Sequence, residues 1–412
     1  MKKIIFSLFV LFIFTPIVLA SSNTGASIDG IYYDTLEEAL SNAKDGSVIK
    51  LFSNANLEKG FIVEKNLEIN LNNNTISAPT AVFEVRKGML KLSGKGVIKE
   101  TEPNYGVVRL IGNNEPTSDK YSSVYVGKDV TLVGWAGIFV SHENGKSYGV
   151  NVDLEGKINA VNDINDGTGI GVYVNGTIKD KTDSPNVNIM DGAVINSTGD
   201  GLYIGGYTTV NIGKATINGI EAGIGIKSGI LNINGATVTS NGKDHTPTLG
   251  YSNGINASGT AIQIESNTGY AGNMEINLND GTFKSDNSYA IYEYIGKGNS
   301  TLVKKFNIKN GTFISGSDKN ALTFSKSFND THKGFITGGK YSTDPSVYLS
   351  AGYSTDKLDD FYTVSKSTSL TTFSEVSSSS NIILKVAISF VIILSAVLIY
   401  YNRTKLLKLL KK

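Results

Sequence analysis

The chain has no cysteine. That excludes disulfides, thiolate metal sites and thiol nucleophiles. A secreted animal domain of this size would usually be stapled by disulfides, so their absence points to a bacterial surface protein. Prolines number only seven in 412 residues, which suits a body of central strands that need every ladder donor. Histidines and arginines number three each, so groups for base catalysis or anion clamping are scarce. Long apolar runs occur only at the two ends.

The N-terminal run reads as a secretory signal over residues 1–20. Lys2 and Lys3 supply the positive start, an apolar stretch follows, and Val18-Leu19-Ala20 is a small-residue cleavage site. The second run, residues 382–401, is long enough for about 30 Å of hydrocarbon. Its one charge, Lys385, sits in the first turn, where it can snorkel. Arg403, Lys405, Lys408, Lys411 and Lys412 then form a basic tail that the positive-inside rule places in the cytoplasm. The expected topology is an extracellular body, a Ser/Thr-rich linker over 365–380, one transmembrane helix over 381–401 and a cytoplasmic tail over 402–412. Between signal and span, 37 acidic residues face 30 basic ones. The outward part is therefore acidic, which argues against nucleic-acid binding.

The middle of the chain repeats one phrase, apolar–Asn–apolar, followed by a small-residue turn and a second short strand. It reads Val187-Asn188-Ile189, Val210-Asn211-Ile212, Leu231-Asn232-Ile233, Ile276-Asn277-Leu278 and Phe306-Asn307-Ile308. The second strands, from Ala193, Ala215, Ala236, Thr282 and Thr312, step by 22, 21, 46 and 30 residues. A strand-rich repeat of that period predicts a solenoid, because one coil cannot bury its own apolar face. The expected fold is all-β: a right-handed parallel β-helix over 61–340, ten to twelve coils long and about 50 to 60 Å tall at ~4.8 Å per strand. Stacking would place the Asn side chains in a hydrogen-bonded ladder, with Asn70 and Asn151 as candidate earlier rungs. Inserted loops are expected at 241–259, 113–120 and 163–169.

An N-terminal cap over 21–60 should contain one amphipathic helix. Thr35 and Glu38 form a capping-box pattern, Leu36, Ala39, Leu40 and Ala43 share a face, and Asp45-Gly46 closes the run. Such a helix would cover the open end of the first coil. A C-terminal cap is expected over 341–364. The two caps carry a family likeness. Asp29-Gly30 through Thr35, Ala39, Ala43, Gly46 and Leu51 resembles the opening of pectate-lyase-like β-helix domains in surface proteins of Gram-positive bacteria. Gly338 through Ser342, Pro345 and Tyr353 resembles their closing segment. The resemblance implies a right-handed β-helix displayed at the cell surface, in many members non-enzymatic and adhesin-like. No LPxTG-type sorting signal precedes the span, so covalent wall attachment is not expected.

Enzyme chemistry finds little support in the residues. Hydrolysis of a glycoside needs two facing carboxylates, and a lyase needs a calcium cluster with a strong base. None of His142, His245 and His332 lies in a Gly-His-Gly context. Gly199-Asp200-Gly201 resembles a hydrolase aspartate motif, but a coil corner accounts for it better. Asp163, Asn165 and Asp166 before Gly167 do not match an EF-hand loop and read as a solvated turn. No catalytic residue, metal or cofactor is therefore expected. Tyrosines, with a flat ring and a polar tip, suit sugar or protein surfaces. Tyr203, Tyr207, Tyr289, Tyr292 and Tyr294, with His245 and Tyr251 in the 241–259 loop, are the candidate ligand contacts. The expectation is a membrane-anchored surface protein that binds an extracellular glycan or protein. A tethered polysaccharide lyase or hydrolase is the alternative, and a passive spacer is the third reading.

Overall fold

The computed structural model describes residues 25–102, 105–117, 121–161, 169–244, 259–367 and 403. The predicted signal, the 163–168 part of the acidic turn, most of the 241–259 loop with His245 and Tyr251, and the predicted span lie outside them. Among the described residues no helix is long and apolar enough to cross a membrane. The strand-rich body is one compact unit that ends at Lys366.

The chain winds through short strands that pair in parallel with their counterparts one coil away. They form a 23-stranded and a ten-stranded sheet. A regular coil contributes three strands. In one coil these are Asn186–Ile189, Val194–Ser197 and Asp200–Ile204; in the next, Thr209–Ile212, Thr216–Gly219 and Ala222–Ile226. The first two faces belong to the large sheet and the third is the ten-stranded sheet. This is the pairing pattern of an all-β solenoid.

Register follows the repeated phrase. Asn188, Asn211, Asn232, Asn277 and Asn307 fall opposite one another in successive coils. Their flanking Val187, Val210, Leu231 and Ile276 are fully buried. Period-2 alternation therefore fills the interior with aliphatic columns and leaves the amides outside. The amides bond along the stack. Asn211 donates to Asn188 (3.0 Å), Asn232 to Asn211 (2.9 Å), Asn277 to Asn232 (2.9 Å) and Asn307 to Asn277 (2.8 Å). Asp153 ends this ladder by accepting from Asn188. Asn151 belongs to the neighbouring column, where it accepts from Asn186. Asn70 stands opposite Ser93 and accepts from the Asn72 backbone, so it is no rung. Asn232→Ala removes two ladder bonds, and at ~1 kcal/mol per bond the urea midpoint should show a loss of about 1 to 2 kcal/mol.

The large insertion leaves the stack intact. Gly229–Ser240 and Met274–Ser285 pair in parallel across both outer faces, with a register shift only near Asn234. On the third face Ala222 pairs directly with Thr260. The chain between Ser240 and Thr260 is thus extra to a coil that closes without it.

Tight backbone spacing on the third face demands glycine. A Cβ on Gly171 would lie 2.3 Å from the Gly201 carbonyl oxygen, and one on Gly201 would lie 2.5 Å from that of Gly223.

Each end of the unit carries a helix. In Leu36–Asn42 the Thr35 hydroxyl accepts from the Glu38 amide (3.1 Å), and the Glu38 carboxylate accepts from the Asp34 amide (3.2 Å). Leu36, Ala39 and Leu40 are buried against the first strands. The second helix, Lys326–Thr331, is capped by Ser325 and buries Phe328 among Phe306, Phe324 and Phe335. It is too short to show periodicity in the sequence. An antiparallel hairpin, Tyr353–Leu358 with Phe361–Lys366, then pairs with Gly339–Tyr341. Its last strand runs into the segment read as linker from residue 365.

Candidate functional site

The outer surface of the ten-stranded sheet differs from the amide-lined faces. Register places Arg109, Phe139, Tyr173, Tyr203, Gly225, Gln263 and Tyr292 in one outward column. The rings pack in sequence. Phe139 meets Tyr173 edge-on at 4.8 Å, Tyr173 stacks on Tyr203 at 4.8 Å, and Trp135 closes on Tyr173 at 5.7 Å. Further along the sheet Tyr289, Tyr292 and Tyr294 stack at 4.9 and 5.6 Å. Gln263 donates to the Tyr294 hydroxyl (3.1 Å). Stacked rings across adjacent strands are strong cross-strand pairs, and they lay a band of aromatic surface along one side of the stack.

Gly225 interrupts the band, and charge gathers around the gap. Asp200 opens the strand one coil before, and its carboxylate would lie 3.0 Å from a Cβ on Gly225. Lys227 lies two residues past Gly225, on the same side of the strand. It meets Glu265 of the next coil in a direct ion pair, with both side chains 2% exposed. The Lys227 ammonium lies 5.3 Å from the Tyr203 ring centre and 5.1 Å from that of Tyr270. Asn267 donates to the other Glu265 oxygen (2.6 Å), and the Tyr203 and Tyr270 hydroxyls bond at 2.9 Å. Among the described residues Asp200 Oδ1 has no hydrogen-bond partner. Burial pushes the Asp200 carboxyl well above the usual carboxylate range, against the pull of Lys227. Burial likewise pushes the Lys227 ammonium down, opposed by Asp200. Each group is thus brought nearer to its neutral form.

Of the predicted contacts, Tyr289, Tyr292 and Tyr294 lie together, half-buried, with ring surface left open. Tyr203 belongs to the same face but is only 3% exposed, with Tyr173 stacked on its ring, Lys227 over it and Tyr270 bonded to its hydroxyl. Tyr207 is buried at a different corner, beside Gly272. Neither is available to a ligand as expected. Asp200, read as a coil corner, is the buried first residue of a strand. Sequence reasoning missed Lys227, Glu265, Gln263 and Tyr270. The usable signal was the matching pair Ile224-Gly225-Ile226-Lys227 and Ile262-Gln263-Ile264-Glu265, aligned residue by residue.

Burial also fixes the titration of the band. The Tyr173 phenol is pushed up to about 12, chiefly by desolvation, and the Tyr203 phenol is pushed up further for the same reason. An ultraviolet titration should therefore find both phenols still protonated at about pH 11, whereas exposed tyrosines ionise near 10.

Among the described residues no three His, Asp or Glu side chains gather where a metal ion could sit. Comparison of the chain with protein families, characterised proteins and solved structures gave no match.

Proposed function

We propose that the chain is a cell-surface contact protein: a right-handed parallel β-helix of the pectate-lyase-like kind, anchored by residues 382–401. Its aromatic face would engage an extracellular glycan or protein. One observation carries this reading. The partly exposed rings of Tyr289, Tyr292 and Tyr294 are held near-parallel at 4.9 and 5.6 Å, a rigid stack with ring edges and polar tips. Ring edges and the outer faces of such a stack pack on sugars and on protein side chains, while the phenols supply orienting hydrogen bonds. The test is a broad glycan array probed with the purified protein. Selective binding is expected, and Tyr292→Ala should weaken it about tenfold, the loss of one central aromatic contact.

A second reading rests on Asp200, Lys227 and Glu265, which come together from three successive coils as a membrane-tethered polysaccharide lyase would require. Burial of all three at 3% or less stands against direct attack on a polymer. Incubation with uronic-acid polymers decides it: new unsaturated ends would establish a lyase, and intact polymer would leave the contact reading.

A further inference from the structure

We propose that Lys227 and Glu265 react with each other to form an intramolecular amide bond that staples two adjacent coils. The geometry supplies every part of that reaction. The two residues lie on neighbouring parallel strands, each one place past the paired residues Ile226 and Ile264. Lys227 Nζ is in direct contact with Glu265 Oε2, and both side chains are shielded from water. Asn267 Nδ2 holds the opposite oxygen, Oε1, at 2.6 Å. The nucleophile therefore sits at one oxygen while a hydrogen-bond donor fixes the other. The rings of Tyr203 and Tyr270 wall the site at 5.3 and 5.1 Å from the nitrogen. Asp200 lies buried on the preceding coil, with one carboxyl oxygen unpartnered among the described residues.

The bonds balance without any outside reagent. A proton passes from the Lys227 ammonium to the Glu265 carboxylate, giving a neutral amine and a carboxylic acid. The nitrogen lone pair then attacks Glu265 Cδ, and a C–N bond forms. Negative charge develops on Oε1, where the Asn267 amide N–H points. The Cδ–Oε2 bond breaks, and that oxygen departs as one water carrying two protons. The nitrogen sheds its extra proton to Oε2, which it touches, so the leaving oxygen carries away both protons. Burial favours the neutral amine, since it pushes the Lys227 ammonium down.

The interior also supplies a driving force. A buried ion pair keeps two poorly solvated charges, whereas an amide has none. The staple would close the 38-residue stretch between the two side chains, which contains the large insertion. That is where the step between successive copies of the repeat, 46 residues, is longest.

Tryptic peptide mapping of the purified full chain tests this. The expected result is a branched peptide that joins the Lys227 and Glu265 segments, lighter by one water than their sum, with no cleavage after Lys227. Lys227→Arg keeps the positive charge and should yield only linear peptides. Asn267→Leu removes the donor at Oε1 and should lose most of the branched peptide while its circular dichroism stays that of the native protein. Recovery of linear peptides with free Lys227 and Glu265 from the native protein would overturn the proposal.

Discussion

Lys227→Met should destabilise the fold by about 3 to 5 kcal/mol, because it strands the Glu265 carboxylate in an interior that excludes water. Glu265 is 2% exposed, so its charge has no route to solvent without opening the coil. The remaining Asn267 bond, at 2.6 Å, satisfies only one oxygen. Equilibrium urea unfolding would report the loss as a lower midpoint with an unchanged slope. The double variant Lys227→Met/Glu265→Leu removes both charges, and apolar replacement of a buried pair is often neutral. It should recover most of the stability. Any deficit that remains measures what the proposed staple contributes beyond the ion pair. Equal loss in the single and double variants would show that the buried carboxylate is not the source of the effect.

Phe313→Ala should cost about 3 to 5 kcal/mol for a different reason, the cavity it leaves in a column of rings. Phe313 is fully buried and stacks on Phe283 at 4.9 Å on one side and on Tyr341 at 4.8 Å on the other. Removing the middle ring deletes both contacts, and the neighbouring coils cannot collapse because their backbones are fixed by the ladders at Thr312 and Lys340. Phe313→Leu keeps most of the volume and should lose less than half as much. The same unfolding measurement checks both variants. A loss in Phe313→Ala below ~1 kcal/mol would mean that the column relaxes freely.

The regular coils were legible because their period is carried by chemistry. An amide between two apolar residues must sit outside a strand whose flanks point inward, so each copy announces its own register. The first helix was legible too, since Thr35 and Glu38 sit at capping-box spacing ahead of one apolar stripe. The second helix was hidden by its six-residue length. The charged cluster was hidden by distance along the chain. Lys227 and Glu265 are 38 residues apart, and the insertion between their coils conceals that Ala222 faces Thr260. Tyr203 misled for a related reason. Alternation correctly puts it on the outer side of the sheet, but only the structure reveals Tyr173 and Lys227 against its ring and Tyr270 bonded to its hydroxyl. Outward-facing and exposed are different properties, and sequence reports only the first.

The most direct measurement compares the two kinds of face in one binding experiment. Tyr289→Ala and Tyr292→Ala alter the aromatic platform, whereas Asn211→Ala and Asn232→Ala alter the amide ladder on another face. Each purified variant would be titrated against the glycan or protein that the native chain selects. If the ten-stranded sheet is the working surface, the tyrosine variants lose affinity about tenfold or more and the asparagine variants bind as the native protein does. Binding that survives the tyrosine changes but fails with the asparagine changes would contradict the assignment and move the contact surface to the amide ladder.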